Sequence, residues 1–377
     1  MAAETISKTA RRNRFQTKRG KFGLLLASTL LTLSATEIGF RIAGVRGEFH
    51  NPRVMGQLAE GQTEPIEHDP YGFVPHGTIR FTYASDPRGY FDPGNSIDMV
   101  HNSVGWRDVE HELEKPPNTY RIMGLGDSYL WGEGVRLQDC CLTKLEDLLQ
   151  PGEQVRVETI NTAFSSLNTV DQRDRLAYRG LAYEPDLVIT FFVLNDTVTD
   201  WSEGPKVEFH EEYTLLYETP DALSRISHFW GWTRQQYMRE VRARRFIRDC
   251  VESFDEDSAG WRQSRLALSD IQQICQRKGM THLVVIFPFF HDLDSDDYPF
   301  QPIHDTVTKY CQKRKIPVLD LRDSYRSFRG PELWVHPTDQ HPNETAHLVA
   351  AKAVAAYLKN HPKVYSPSAA TGQHDEE

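Results

Sequence analysis

Tyr120-Arg-Ile-Met-Gly-Leu-Gly-Asp-Ser128-Tyr-Leu-Trp-Gly-Glu-Gly134 is a short apolar run that turns into glycines and leaves a serine at its end. It predicts a buried strand over 120–125, and the glycines predict a loop that stays open around Ser128. Two later stretches complete a pattern. Phe191-Phe-Val-Leu-Asn195-Asp196 ends an apolar run in an amide and an acid, and Thr338-Asp339-Gln340-His341-Pro342-Asn343 supplies a carboxylate and an imidazole. A serine hydroxyl is a weak nucleophile at neutral pH. It needs a base for its proton, a third group to orient that base, and donors for the oxyanion. All these residue types stand here, in the order Ser, Asn, Asp, His.

On either side of Ser128 the strand-then-helix rhythm continues. Apolar, β-branched runs predict strands at 120–125, 155–160, 186–194, 282–287 and 316–320. Helical periodicity fills 139–150, 168–183, 258–279, 300–314 and 343–360. Such alternation implies an α/β fold with a parallel sheet covered on both faces. Phe191-Phe192-Val193 and Val284-Val285-Ile286-Phe287 lack polar alternation, as central strands packed on both faces do. Ligand sites in such sheets form at the carboxyl ends of strands. Ser128, Asn195 and the loop after Pro288 all fall there.

Each motif also has a plain structural reading. Gly126-Asp127-Ser128 is also a strand-to-helix turn with Ser128 as cap, Asn195-Asp196 an Asx turn, and Asp339–Asn343 a loop leading to a helix start. Their joint occurrence at strand ends, in order, favours the catalytic reading.

Composition narrows the classes further. The 377 residues carry a net charge of -10 and no zinc-finger or Walker spacing, which sets nucleic acid aside as a partner. Five scattered cysteines (Cys140, Cys141, Cys250, Cys275, Cys311) give neither a metal signature nor a disulfide framework, and read as small buried side chains.

Residues 1–21 are basic, and the apolar stretch 22–44 that follows is long enough to cross about 30 Å of hydrocarbon. An uncleaved membrane anchor is the expectation, with the rest of the chain outside the cytoplasm, periplasmic or at the cell surface. A cleaved signal and a soluble amphipathic helix are the alternatives; cleavage after Ala35 would put Leu33 where a small residue is preferred. Glu37 and Arg41, four apart, are expected to pair near the outer interface. Residues 45–118 read as a β-rich, turn-rich extension, 197–257 as a helical insertion or lid, and 363–377 as a disordered tail.

With these motifs in view, residues 119–362 resemble the GDSL/SGNH-type hydrolases. The resemblance implies a three-layer α/β/α domain on a five-stranded, parallel, flavodoxin-like sheet. It implies Ser128 as nucleophile and backbone oxyanion donor, and Asn195 as side-chain donor. Asn161-Thr-Ala-Phe-Ser-Ser166 matches the block in which Ser166 stands where the family usually has glycine and gives a backbone N–H. Val193 also replaces a usual glycine. The last block is normally Asp-x-x-His, but Thr338 occupies the acid's position, so Asp339, two residues before His341, is taken as the orienting acid. His336 is a rival base, and Asp320 and Asp323 are rival orienters. No cofactor and no metal are expected; the His341–Glu344–His347 spacing is read as a partly buried helix face. The implied activity is hydrolysis of an ester, an O-acetyl on a carbohydrate or a lipid among them. The alternatives are an O-acetyltransferase of an exported glycan and a catalytically inactive scaffold.

Overall fold

The computed structural model describes residues 18–47, 75–83, 85–150, 155–197, 221–337 and 339–367. Outside the described residues lie most of the basic leader, the Asp69-Pro-Tyr-Gly72 turn, Thr338, 368–377 of the tail, and 198–220 of the insertion. In chain order the helices are α1 (Lys18–Ile42), α2 (Ser128–Trp131), α3 (Cys141–Leu149), α4 (Thr169–Tyr178), α5 (Ala222–Ile226), α6 (His228–Glu252), α7 (Ala259–Arg277), α8 (Gln301–Arg314), α9 (Arg322–Tyr325), α10 (Gly330–Leu333) and α11 (Glu344–Asn360). The strands are β1 (Thr78–Thr82), β2 (Ser96–Val100), β3 (Thr119–Leu125), β4 (Arg156–Asn161), β5 (Leu187–Val193), β6 (Thr281–Phe287), β7 (Val318–Asp320), β8 (Trp334–His336) and β9 (Asp339–Pro342). Two compact units result, residues 1–51 with 208–243, and residues 52–207 with 244–377.

The larger unit is built on a parallel sheet in the order β4-β3-β5-β6-β7. Numbered within the sheet this is 2-1-3-4-5, the doubly wound flavodoxin-like order. Every residue of β3 and β5 is buried, so consecutive side chains divide between two cores. Ile122, Leu187 and Ile189 pack with Leu142 and Leu145 of α3 and Ala350 and Val354 of α11. Met123, Leu125 and Val188 pack on the other face with Leu176 of α4 and Ile271 of α7. Taking each such side chain from water contributes about 1.5–3 kcal/mol. The five predicted strands and five predicted helices all fall on observed elements, with ends shifted by up to about two residues and the 168–183 helix breaking at Arg179 into a 3₁₀ turn. The five cysteines are free thiols, four of them buried.

The sheet also carries a buried ion cluster. Register sets Arg121 of β3 opposite Glu158 of β4. The fully buried guanidinium donates to that carboxylate at 2.5 Å and to the carbonyls of Leu113 and Tyr183. His111 sits between Glu158 and Asp108, each 3.1 Å from one ring nitrogen. Burial pushes the imidazole down, but its two carboxylate partners win and raise it to about 9. Glu158, opposed by burial, is brought down to about 2 by His111 and Arg121.

In the extension, β1 and β2 form an antiparallel hairpin, with Ile79, Phe81, Ile97 and Met99 facing the core. A second two-stranded piece, β8 with β9, is absent from the sequence expectations. Its residues show no apolar alternation that would reveal a strand.

In the smaller unit, α1 is long and apolar enough to cross a membrane, a test that a signal sequence also meets. The expected Glu37–Arg41 pair is made at 2.7 Å. Glu37 also accepts from Ser227 Oγ, His228 N and Phe229 N, closing the amino end of α6. Arg41 donates to the Ile226 carbonyl, and Phe40 packs edge-on against Phe229 and Trp232.

Candidate active site

β3 ends at Leu125, and Asp127 caps the short helix that follows, its carboxylate accepting from Tyr129 N at 2.9 Å. This puts Ser128 at the carboxyl edge of the sheet. The plain reading of the motif is therefore half right: a cap is present, but Asp127 supplies it. From the other end of the chain, β9 delivers His341. Its Nε2 lies 3.0 Å from Ser128 Oγ, and its Nδ1 lies 2.5 Å from Asp339 Oδ1. Asp339 and His341 sit on a strand, where residues two apart share a face. Strand periodicity thus lets a carboxylate two residues before the imidazole reach its Nδ1. Since Nδ1 faces a carboxylate it carries the ring proton, leaving Nε2 to accept from the hydroxyl.

Asp339 is further fixed. Its Oδ1 also accepts from the His341 backbone N–H, and its Oδ2 accepts from the Tyr83 hydroxyl at 2.9 Å. Tyr83 lies just past β1, so the extension contributes to the site; nothing in the sequence pointed there. The Tyr129 ring meets His341 edge-on at 5.6 Å and packs on Phe287 and Phe290 at the end of β6.

The other expected residues lie on neighbouring strand ends. Ser166 follows β4 with φ 71, a left-handed conformation that favours glycine and that few side chains adopt. Asn195 follows β5, its side chain in polar contact with Asp127. Neither hydrogen-bonds Ser128. Behind Asn195, Asp196 accepts from Gln172 Nε2 and Val193 N. Burial holds both Asp127 and Asp196 above the usual carboxylate range, and the nearby Asp127 charge adds to the rise at Asp196.

The rivals are engaged elsewhere. His336 Nε2 lies 3.0 Å from Ser85 Oγ, Asp320 pairs with His304, and Asp323 is exposed beside Arg326. His347 is fully buried, not partly so, and its Nδ1 accepts from Cys141 N; burial pushes it down to about 3.

A second correction concerns the loop after the nucleophile, expected to be open. Residues 129–135 are all buried. Arg107, itself buried, donates to the carbonyls of Trp131, Gly132 and Val135 and closes the loop from beneath. That closure brings in Glu133, a residue the sequence reading did not single out. Its Oε1 lies 3.5 Å from His341 Nδ1. Ligand atoms of Glu133, Asp339 and His341 fall within 4.8 Å of one another, a spacing a cation accepts. Both ring nitrogens are already engaged, with Asp339 and with Ser128, so an ion would have to displace one of those bonds.

No family model and no curated protein matches the chain. Similar solved structures include a lipase/acylhydrolase from Enterococcus faecalis, at 15% identity over 64% of this chain and 96% of that one, with a TM-score of 0.39. A lipolytic protein of the G-D-S-L family from Desulfitobacterium hafniense, described as putative, gives 12% identity, 63% and 99% coverage, and a TM-score of 0.38. A catalytic mutant of an acetylxylan esterase from Geobacillus stearothermophilus gives 12%, 64% and 95%, and 0.42.

Proposed function

We propose that this chain is a serine esterase of the GDSL/SGNH type, working through an acyl-enzyme. One observation carries the reading: Ser128 Oγ, the His341 ring and the Asp339 carboxylate form a continuous hydrogen-bonded line, 3.0 and 2.5 Å, at the carboxyl edge of a parallel sheet. As Ser128 attacks an ester carbonyl, its proton passes to His341 Nε2, while Asp339 holds the Nδ1 proton and stabilises the imidazolium. The backbone N–H groups of Ser128 and Ser166 and the Asn195 amide take the oxyanion. His341 returns the proton to the departing alcohol, and water then resolves the acyl-enzyme by the same steps in reverse. The acyl donor is an ester, with an O-acetylated carbohydrate as the special case to try first.

The apolar α1 is taken as a retained anchor with its basic end inside, leaving the larger unit outside the cytoplasm. Its support is the set of bonds from Glu37 and Arg41 to residues 226–229, which an excised leader would not need. A fluorophosphonate probe tests the chemistry. The expected result is labelling of the full chain that disappears in Ser128→Ala and His341→Ala. An unlabelled but folded wild-type chain overturns it.

A further inference from the structure

Trp131-Gly-Glu-Gly-Val135 is shaped to hold one carboxylate. Gly132 and Gly134 have φ of 79 and 76, flanking Glu133 with two left-handed turns. A Cβ at the first would lie 2.4 Å from Cys140 Sγ, and at the second 2.6 Å from Tyr83 Oη. Neither position tolerates a side chain. Arg107 holds the loop from below through three carbonyls, and Glu133 is itself only 1% exposed. Its Oε2 lies 3.4 Å from Ser165 Oγ, a weak contact, and its Oε1 lies 3.5 Å from His341 Nδ1.

We infer that Glu133 is a positioning residue for His341, a second carboxylate that acts on the ring through its charge while Asp339 takes the ring proton. Nδ1 has one hydrogen, and Asp339 at 2.5 Å accepts it. At 3.5 Å Glu133 lies outside hydrogen-bond distance but well inside Coulomb range. The groups near the ring include Ser128 at Nε2, Asp339 on β9, the Tyr129 ring edge, Asp127 behind the nucleophile, and His347 of α11. Arg107 is buried beneath the same loop, bonded to its carbonyls. The simpler rival role for Glu133 is to balance Arg107, with no effect on His341.

For its kinetic effect the inference rests on the esterase reading; for its effect on the ring it does not. The full chain in detergent is compared as wild type, Glu133→Gln and Glu133→Asp. His341 is followed by NMR titration of its ring, and kcat/KM on a nitrophenyl ester is followed against pH. Removing a negative charge destabilises the imidazolium. In Glu133→Gln the His341 titration and the acid limb of kcat/KM therefore move down by about one pH unit, and the plateau falls about tenfold. Glu133→Asp keeps the charge and leaves the limb near its wild-type place. An unmoved His341 titration in Glu133→Gln overturns the inference, as does an equal shift in both variants, which would mean shape and not charge. Should Glu133→Gln fail to fold, Glu133→Met reads the same shift without a buried amide. If the wild type neither labels nor turns over, the esterase reading fails while the ring titration still decides the role of Glu133.

Discussion

At the residue scale the site is two contributions meeting, a nucleophile from the first strand of the sheet and a base from near the chain's end. The spacing of Asp339 and His341 shows how much was legible beforehand. The pair of residue types was visible, but their reach depended on a strand, β9, whose polar sequence hides it. Glu133 was also in plain view, between two glycines that read as an open turn. Its importance needed Arg107, twenty-odd residues earlier, to close that turn, and no local pattern reports such a contact. Asn195 supports a direct prediction. If its amide stabilises an oxyanion, Asn195→Ala lowers kcat by about a hundredfold to a thousandfold. Stopped kinetics beside a melting curve check this; an unchanged kcat would remove Asn195 from the mechanism.

Among elements, β3 and β4 carry the feature with the clearest pH signature. Both nitrogens of His111 lie 3.1 Å from carboxylate oxygens, so the doubly protonated, positive ring is the form the two acids favour. Its pKa is raised to about 9 in the fold, so its contribution is complete below about 6.5 and is lost as pH rises through 9. Glu158 is lowered to about 2, so its contribution is complete above about 4.5 and is lost as pH falls toward 2. Urea midpoints should therefore be highest between these limits. His111→Gln should flatten the alkaline arm and leave an acid arm. Breaking the pair from the other side, with Glu158→Ala, strands a buried guanidinium and costs about 3–5 kcal/mol. The sheet itself was readable because each strand is a short apolar run closed by a turn. The β8–β9 hairpin was not, since its pairing is irregular and its residues are mostly polar.

On the scale of the whole molecule, the apolar 22–44 segment was legible from composition. What α1 does after that was not. Glu37 closes α6 with a side chain nearly two hundred residues away, and a reading of the 22–44 segment treats it only as an anchor. Glu37→Ala should speed amide exchange at Phe229 and its neighbours with the larger unit unchanged, measured by hydrogen–deuterium exchange. Equal exchange would show that α6 holds its own start. Full-length protein should partition with vesicles in flotation and resist carbonate extraction; release into the supernatant would count against an anchor.

The hydroxyl of Tyr83 and the guanidinium of Arg107 have a practical corollary for anyone trimming this chain. A fragment starting at residue 116 keeps every strand of the parallel sheet and all five residues first suspected of chemistry. It discards the phenol that steadies Asp339 and the cation that keeps the glycine turn shut. Such a fragment would have a slack trigger, and its poor turnover would say nothing against Ser128.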